Sequence, residues 1–180
     1  MRHPARIGST AAGGIIPFLP ILFIFIIVLS LSLVTGAACG EQKPVSPTQK
    51  DKCAVCGMFV AKYPDWVAQI LFKDGSAAFF DGPKDMFRYY FDMEKYAPSR
   101  SRADIDALYV KEYYSLTPID AGRAFFVAGS DVYGPMGKEL VPFGKEADAK
   151  EFMKDHKGKR ILRMKEITPD VVRSLDDLDE

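Results

Sequence analysis

Residues 15–34 run almost without a polar group behind a short basic start, Arg2, His3 and Arg6, and this run most restricts what the chain can build. A basic start followed by an apolar stretch is the pattern of an export signal, so roughly the first forty residues are targeting rather than fold. About 140 residues remain, enough to bury a proper core as one compact domain or as two small halves that share one. At about twenty residues, the apolar run is also long enough to cross a bilayer as a helix.

The run closes with Val34-Thr-Gly-Ala-Ala-Cys39, small residues leading into a cysteine. This resembles the lipobox at which bacterial lipoproteins are cleaved and acylated, although Gly36 stands where the common lipobox has leucine or a similar residue. Residues 1–38 are therefore read as a lipoprotein signal peptide, with Cys39 as the lipidated N-terminus; an uncleaved helical anchor is the alternative. Loss of the leader removes Arg2 and Arg6, which leaves 22 basic against 24 acidic residues, a formal net of −2. No basic patch of the kind that nucleic acid requires is present. Of the three cysteines, Cys53 and Cys56 remain beside Cys39, too few for the disulfide framework of a small secreted domain.

Residues 39–51 are polar, carry Pro44 and Pro47 and lack apolar periodicity, the composition of a flexible tether between membrane and domain. From there the pattern predicts strands over 66–72 and 76–80, a helix over 83–92 and a strand over 107–114. Asp81 and Gly82 before Pro83 form a suitable helix start. The same order returns as strands over 123–129 and 139–143, a helix over 146–156 and a strand over 160–167. The expected fold class is α+β: two tandem ββαβ-like halves, 52–118 and 119–172, forming one compact domain and followed by an acidic tail over 173–180. Its last residues, 176–180, are expected to fray.

Two thiols and a thioether stand within six residues in Cys53-Ala-Val-Cys-Gly-Met58. Thiolates and thioethers are soft donors that select Cu(I) over harder cations. Structural zinc takes four Cys or His ligands, and the mature chain offers only His156 beside these thiols, so zinc is short of partners. A redox dithiol usually sits where a strand enters a helix, whereas Gly57 and Met58 lead into extended chain. Met86, Met93, Met153 and Met164 fall in periodic patterns and read as core filling. Met58 and Met136 lie instead in glycine-flanked segments where no buried face asks for them. His156 ends an amphipathic helix and suits the negative helix terminus. The candidate metal ligands are Cys53, Cys56, Met58 and Met136. No nucleophile–base set, paired acids in a motif or phosphate-cradling loop supports an enzyme.

The lipoprotein-like start, Cys53-Ala-Val-Cys-Gly-Met-Phe-Val60, Phe72-Lys-Asp-Gly75 with Phe80-Asp81, Ile119-Asp-Ala121 and Tyr133-Gly-Pro-Met-Gly137 together resemble the NosL family, copper-chaperone lipoproteins that accompany nitrous oxide reductase. The resemblance covers essentially the whole mature chain. It implies a fold of two ββαβ-like halves similar to the core of organomercurial lyase. It also implies delivery of Cu(I) for the copper–sulfur cluster of the reductase through a membrane-associated assembly complex, on the periplasmic side of a bacterial membrane. The family's Cys-Gly-Met element falls on Cys56 and Met58, and its Pro-Met-Gly element on Met136. Cys53 is an addition to the pattern of many relatives, and Lys138 stands where some have a histidine. Two rivals are an extracytoplasmic thiol oxidoreductase and a YHS-like metal-binding module, which the Cys-x-x-Cys-Gly-Met opening also resembles. The latter would need further cysteines where this chain has Asp81 and Gly82.

Overall fold

The computed structural model describes residues 42–177, so Cys39 and the apolar run lie outside the described residues. Two antiparallel sheets form the frame. The first has the order β2-β1-β3-β4, built from β1 (Ala68–Phe72), β2 (Ala77–Phe80), β3 (Ile105–Lys111) and β4 (Pro118–Asp120). The second has the order β6-β5-β7, built from β5 (Phe125–Gly134), β6 (Gly137–Phe143) and β7 (Arg160–Arg163). In each half the first strand is central, its hairpin partner lies on one side, and the strand after the helix returns to the other. The α+β class and the duplicated ββαβ order expected from the sequence are both present.

Helix α1 (Pro83–Phe91) begins as its sequence demands, with Gly82 as N-cap in extended conformation and Pro83 in the first turn. It ends at Asp92, whose side chain caps the short α2 (Met93–Tyr96) by accepting from the Lys95 N–H. In the second half α3 (Glu146–Asp155) takes the equivalent place. His156 is its C-cap, stacked on Phe152 and bonded through Nδ1 to Asp131, which agrees with a helix-terminus role.

Strand β5 alternates between two cores. Phe126 and Ala128 face the larger one with Ile70, Phe80, Phe87 and Leu140, while Val127 faces a smaller one with Val141, Phe143, Ala149 and Phe152 under α3. The second sheet is thus buried on both faces. Phe87 of α1 meets Phe126 edge to face at 5.4 Å, so the first helix packs into the core shared with the second half. Met86 and Met93 are buried there, and Met153 and Met164 pack partly buried against the cores, in line with a filling role.

Some features lie beyond the sequence expectations. Strand β4 adds a fourth strand to the first sheet. Beyond β7 the chain turns through a 3-10 segment, Met164–Glu166, into α4 (Pro169–Ser174), capped by Thr168 with Pro169 behind it. The strand expected to reach 167 therefore stops at Arg163. Asp176, read as part of an acidic tail expected to fray, instead pairs with Lys84 and Arg88. Gln42 and Val45, read as tether, lie along the first sheet: Val45 exchanges backbone bonds with the buried Gln69 side chain at 2.9 and 3.1 Å, and Gln42 bonds Phe72 and Asp106.

Candidate metal centre

The Cys-x-x-Cys-Gly-Met segment closes on itself because Gly57 takes φ +79°, a left-handed conformation that a side chain disfavours. The Gly57 N–H donates to the Cys53 carbonyl at 3.0 Å, and the Cys53 N–H to the Met58 carbonyl at 2.7 Å. Lys52 and Phe59 then form an antiparallel bridge at the base. The loop docks on β2, with Cys53 bridged to Phe79 and the Ala54 N–H donating to the Phe79 carbonyl at 3.0 Å. An edge strand presents unpaired backbone groups, and the thiol loop uses those of β2.

That docking sets the thiols beside two carboxylates. Asp81 follows β2 directly, and Asp85 lies in the first turn of α1, one helical turn further along. The Cys56 Sγ donates to Asp81 Oδ2 at 3.3 Å and the Cys53 Sγ to Asp85 Oδ2 at 3.3 Å. All four donor groups have ligand atoms within 4.8 Å of one another. Cys53 is 3 % exposed, Cys56 half-buried, and neither is in a disulfide.

Burial keeps the two thiols of this pocket protonated. Burial pushes the Cys56 thiol up to about 11, and the nearby Asp81 charge adds to the effect. Burial raises Cys53 further still. Asp81 is itself raised, first by burial and then by the charge of Asp85. Its Oδ1 is buried without a hydrogen-bond partner, which leaves an oxygen donor unused inside the cluster. A cation that displaces the thiol protons would meet two sulfurs and two carboxylates already converged on one point.

Residue type and short spacing mark the thiols as ligands, whereas Asp81 and Asp85 carry a fainter signal: four residues apart, they straddle the Gly82-Pro83 helix start. Met58 leaves the loop partly buried, its Sδ accepting from the Tyr63 hydroxyl at 3.7 Å. Met136 sits at the tip of the β5–β6 hairpin, where Gly134 pairs with Gly137 and Gly137 turns with φ +83°. Its side chain is 38 % exposed, and its carbonyl accepts from Lys84 Nζ at 2.5 Å. Lys138 reaches back over the Tyr133 ring and donates to the Ser130 carbonyl. His156 takes no part in the four-donor cluster.

The NosL family model matches residues 44–172, from the sheet-bound segment into α4. The chain belongs to the NosL family. The copper-binding lipoprotein NosL of Stutzerimonas stutzeri is 31 % identical over 156 residues, covering 77 % of each chain. The crystal structure of the copper chaperone NosL from Shewanella denitrificans superposes with a TM-score of 0.61 at 25 % identity, covering 71 % of this chain and 97 % of that one. A NosL fold thus carries the thiol loop, the β2–α1 carboxylates and the Met136 hairpin of this chain on one frame.

Proposed function

We propose that this protein is an extracytoplasmic Cu(I) carrier, held on the periplasmic side of a bacterial membrane through acylated Cys39, that supplies copper for the copper–sulfur cluster of nitrous oxide reductase by way of its membrane assembly complex. The observation that carries the reading is the convergence of two free thiols on a docked loop, in a chain whose relatives are a copper-binding lipoprotein and a copper chaperone. Cys53 and Cys56 would supply thiolates, and Met58 and Met136 thioethers, a soft set suited to Cu(I). Few ligands, on a loop and a hairpin tip, suit hand-over by ligand exchange better than permanent retention. Among the described residues no helix is long and apolar enough to cross a membrane; the apolar run and Cys39 lie outside them.

The thiols' state speaks against the oxidoreductase alternative. Thiol exchange needs an accessible thiolate, whereas burial raises both cysteines here and leaves Cys53 almost inaccessible. A zinc reading gains more from the structure, because Asp81 and Asp85 bring the donor count at the thiols to four. Competition decides between the two metals. Residues 40–180, reduced, are expected to bind about one Cu(I) per chain against a competing chelator and to prefer it to Zn(II), since two thiolates and the thioethers outweigh the two carboxylates as a soft donor set. Equal or tighter zinc binding would sink the copper reading.

A further inference from the structure

The proposed thiols and the Met136 thioether come from opposite halves of the chain, so something other than local sequence must hold the Met136 hairpin where the thiol loop can use it. Lys84 does this from the first turn of α1. It is 1 % exposed, and its ammonium reaches the Met136 carbonyl at 2.5 Å and Asp176 Oδ1 at 3.1 Å. Its backbone N–H donates to Glu139 Oε1 at 2.5 Å, and Glu139 is a buried residue of β6 only three positions beyond Met136. One residue thus grips the hairpin at its turn and on β6. The next residue, Asp85, accepts from the Cys53 thiol.

The packing is built for this approach. A Cβ on Gly82 would collide with the Glu139 carboxylate, and one on Gly134 would crowd its Cγ at 3.1 Å, so both glycines leave room for Glu139 to reach the helix. An almost fully buried ammonium is costly to desolvate, and an apolar chain of the same length would fill the space without that cost. What the lysine adds is direction: its hydrogen bonds allow one placement of the turn, where an apolar contact would allow several.

We infer that Lys84 is a positioning residue for the metal site, which sets the place of the Met136 thioether relative to Cys53 and Cys56 by holding the Met136 carbonyl and, through its own amide, Glu139. This rests on Met136 being a copper ligand. The role follows from consecutive residues of one helix turn, Lys84 tied to the hairpin and Asp85 to the thiol, so that α1 is the ruler between the two halves of the site.

A double-mutant cycle on the full chain in detergent tests it, with Cu(I) affinity and the sulfur count of the Cu(I) X-ray absorption shell as readouts. Lys84→Leu, which adds no sulfur, is expected to lower affinity by about 10- to 100-fold, the range for groups that orient ligands. It should remove one sulfur from the shell, as Met136→Leu does. In the Lys84→Leu/Met136→Leu double variant the loss should not exceed that of the more damaging single change, because a thioether already absent cannot be misplaced. Losses that multiply, or a Lys84→Leu variant with the parent's affinity and sulfur shell, overturn the inference while leaving Met136 as a ligand. A Met136→Leu variant identical to the parent in both readouts removes Met136 from the site and the inference with it. If Lys84→Leu does not fold, Lys84→Gln runs the same cycle: it is shorter and uncharged, so the ammonium's hold on the Met136 carbonyl is lost while a polar end remains.

Discussion

Cys53 and Cys56 are chemically unequal although they share one loop. Cys56 is half-buried and lies beside Asp81, while Cys53 is sealed under the loop against Asp85, whose other oxygen takes the Arg88 guanidinium at 2.8 Å. Cys56→Ser is expected to abolish nearly all Cu(I) affinity, because a thiolate supplies both charge and the strongest soft donor. Met136→Leu should cost less, since it removes a neutral donor and keeps the volume. Cys53→Ser should fall between them; affinity equal to the parent would make Cys53 a neighbour and not a ligand. The pH dependence has a definite sign. With Cys56 held up to about 11 and Cys53 higher, both thiols are protonated at neutral pH, and Cu(I) must displace a proton for each thiolate it takes. Affinity should therefore rise with pH, by about tenfold per unit for each thiolate, from about pH 6 to about 8. A flat profile in chelator competition would mean that the thiols are not the ligands.

Among the elements, α1 is where the halves meet. Its buried face carries Met86 and Phe87 into the common core, its first turn supplies Lys84 and Asp85, and Arg88 extends to Asp176 beyond α4. The helix N-terminus is capped from across the molecule: the Gly82 side can offer no side-chain oxygen, and Glu139 of β6 accepts from the Lys84 N–H instead. Burial pushes the Glu139 carboxyl up to about 8, so a proton can share the cap with the helix amide near neutral pH. Gly82→Ala tests this junction, because its Cβ would collide with the Glu139 carboxylate. We expect a loss of about 1–3 kcal/mol from overpacking, read as a lower urea midpoint at unchanged slope. An unaltered midpoint would show that the Glu139 contact is not tight. Phe87→Ala should cost more, about 3–5 kcal/mol, since it empties the seat against Phe126.

At the scale of the whole molecule, the first sheet depends on a segment with no secondary structure. Gln69 is buried in β1 and would leave its amide unsatisfied without the Val45 backbone, and the Tyr109 hydroxyl donates to the Gln42 carbonyl at 2.7 Å. A chain that begins at Thr48 should lose about 1–3 kcal/mol of stability by urea unfolding, as several long-range hydrogen bonds go at a modest net cost each. Stability equal to that of residues 40–180 would show that the segment only rests on the sheet.

Periodicity and punctuation in the sequence determined most elements of the frame. Short apolar runs between turn residues marked the principal strands, Gly82-Pro83 marked the start of α1, and the repeat of strand, strand, helix, strand marked the duplication, because each is a local signal set within a few residues. The soft donors were legible for the same reason, as chemistry written in residue type and short spacing. β4 and α4 were not read, since a three-residue strand and a six-residue helix carry too few positions for a period to show, although Thr168-Pro169 held a cap signal. Only the tertiary structure brought Asp81 and Asp85 onto the thiols, set Glu139 over the Lys84 amide and drew Asp176 to Lys84 and Arg88. Each of those contacts joins segments far apart in the chain, and their partners are settled by how a loop docks on a sheet edge and how two halves share one helix.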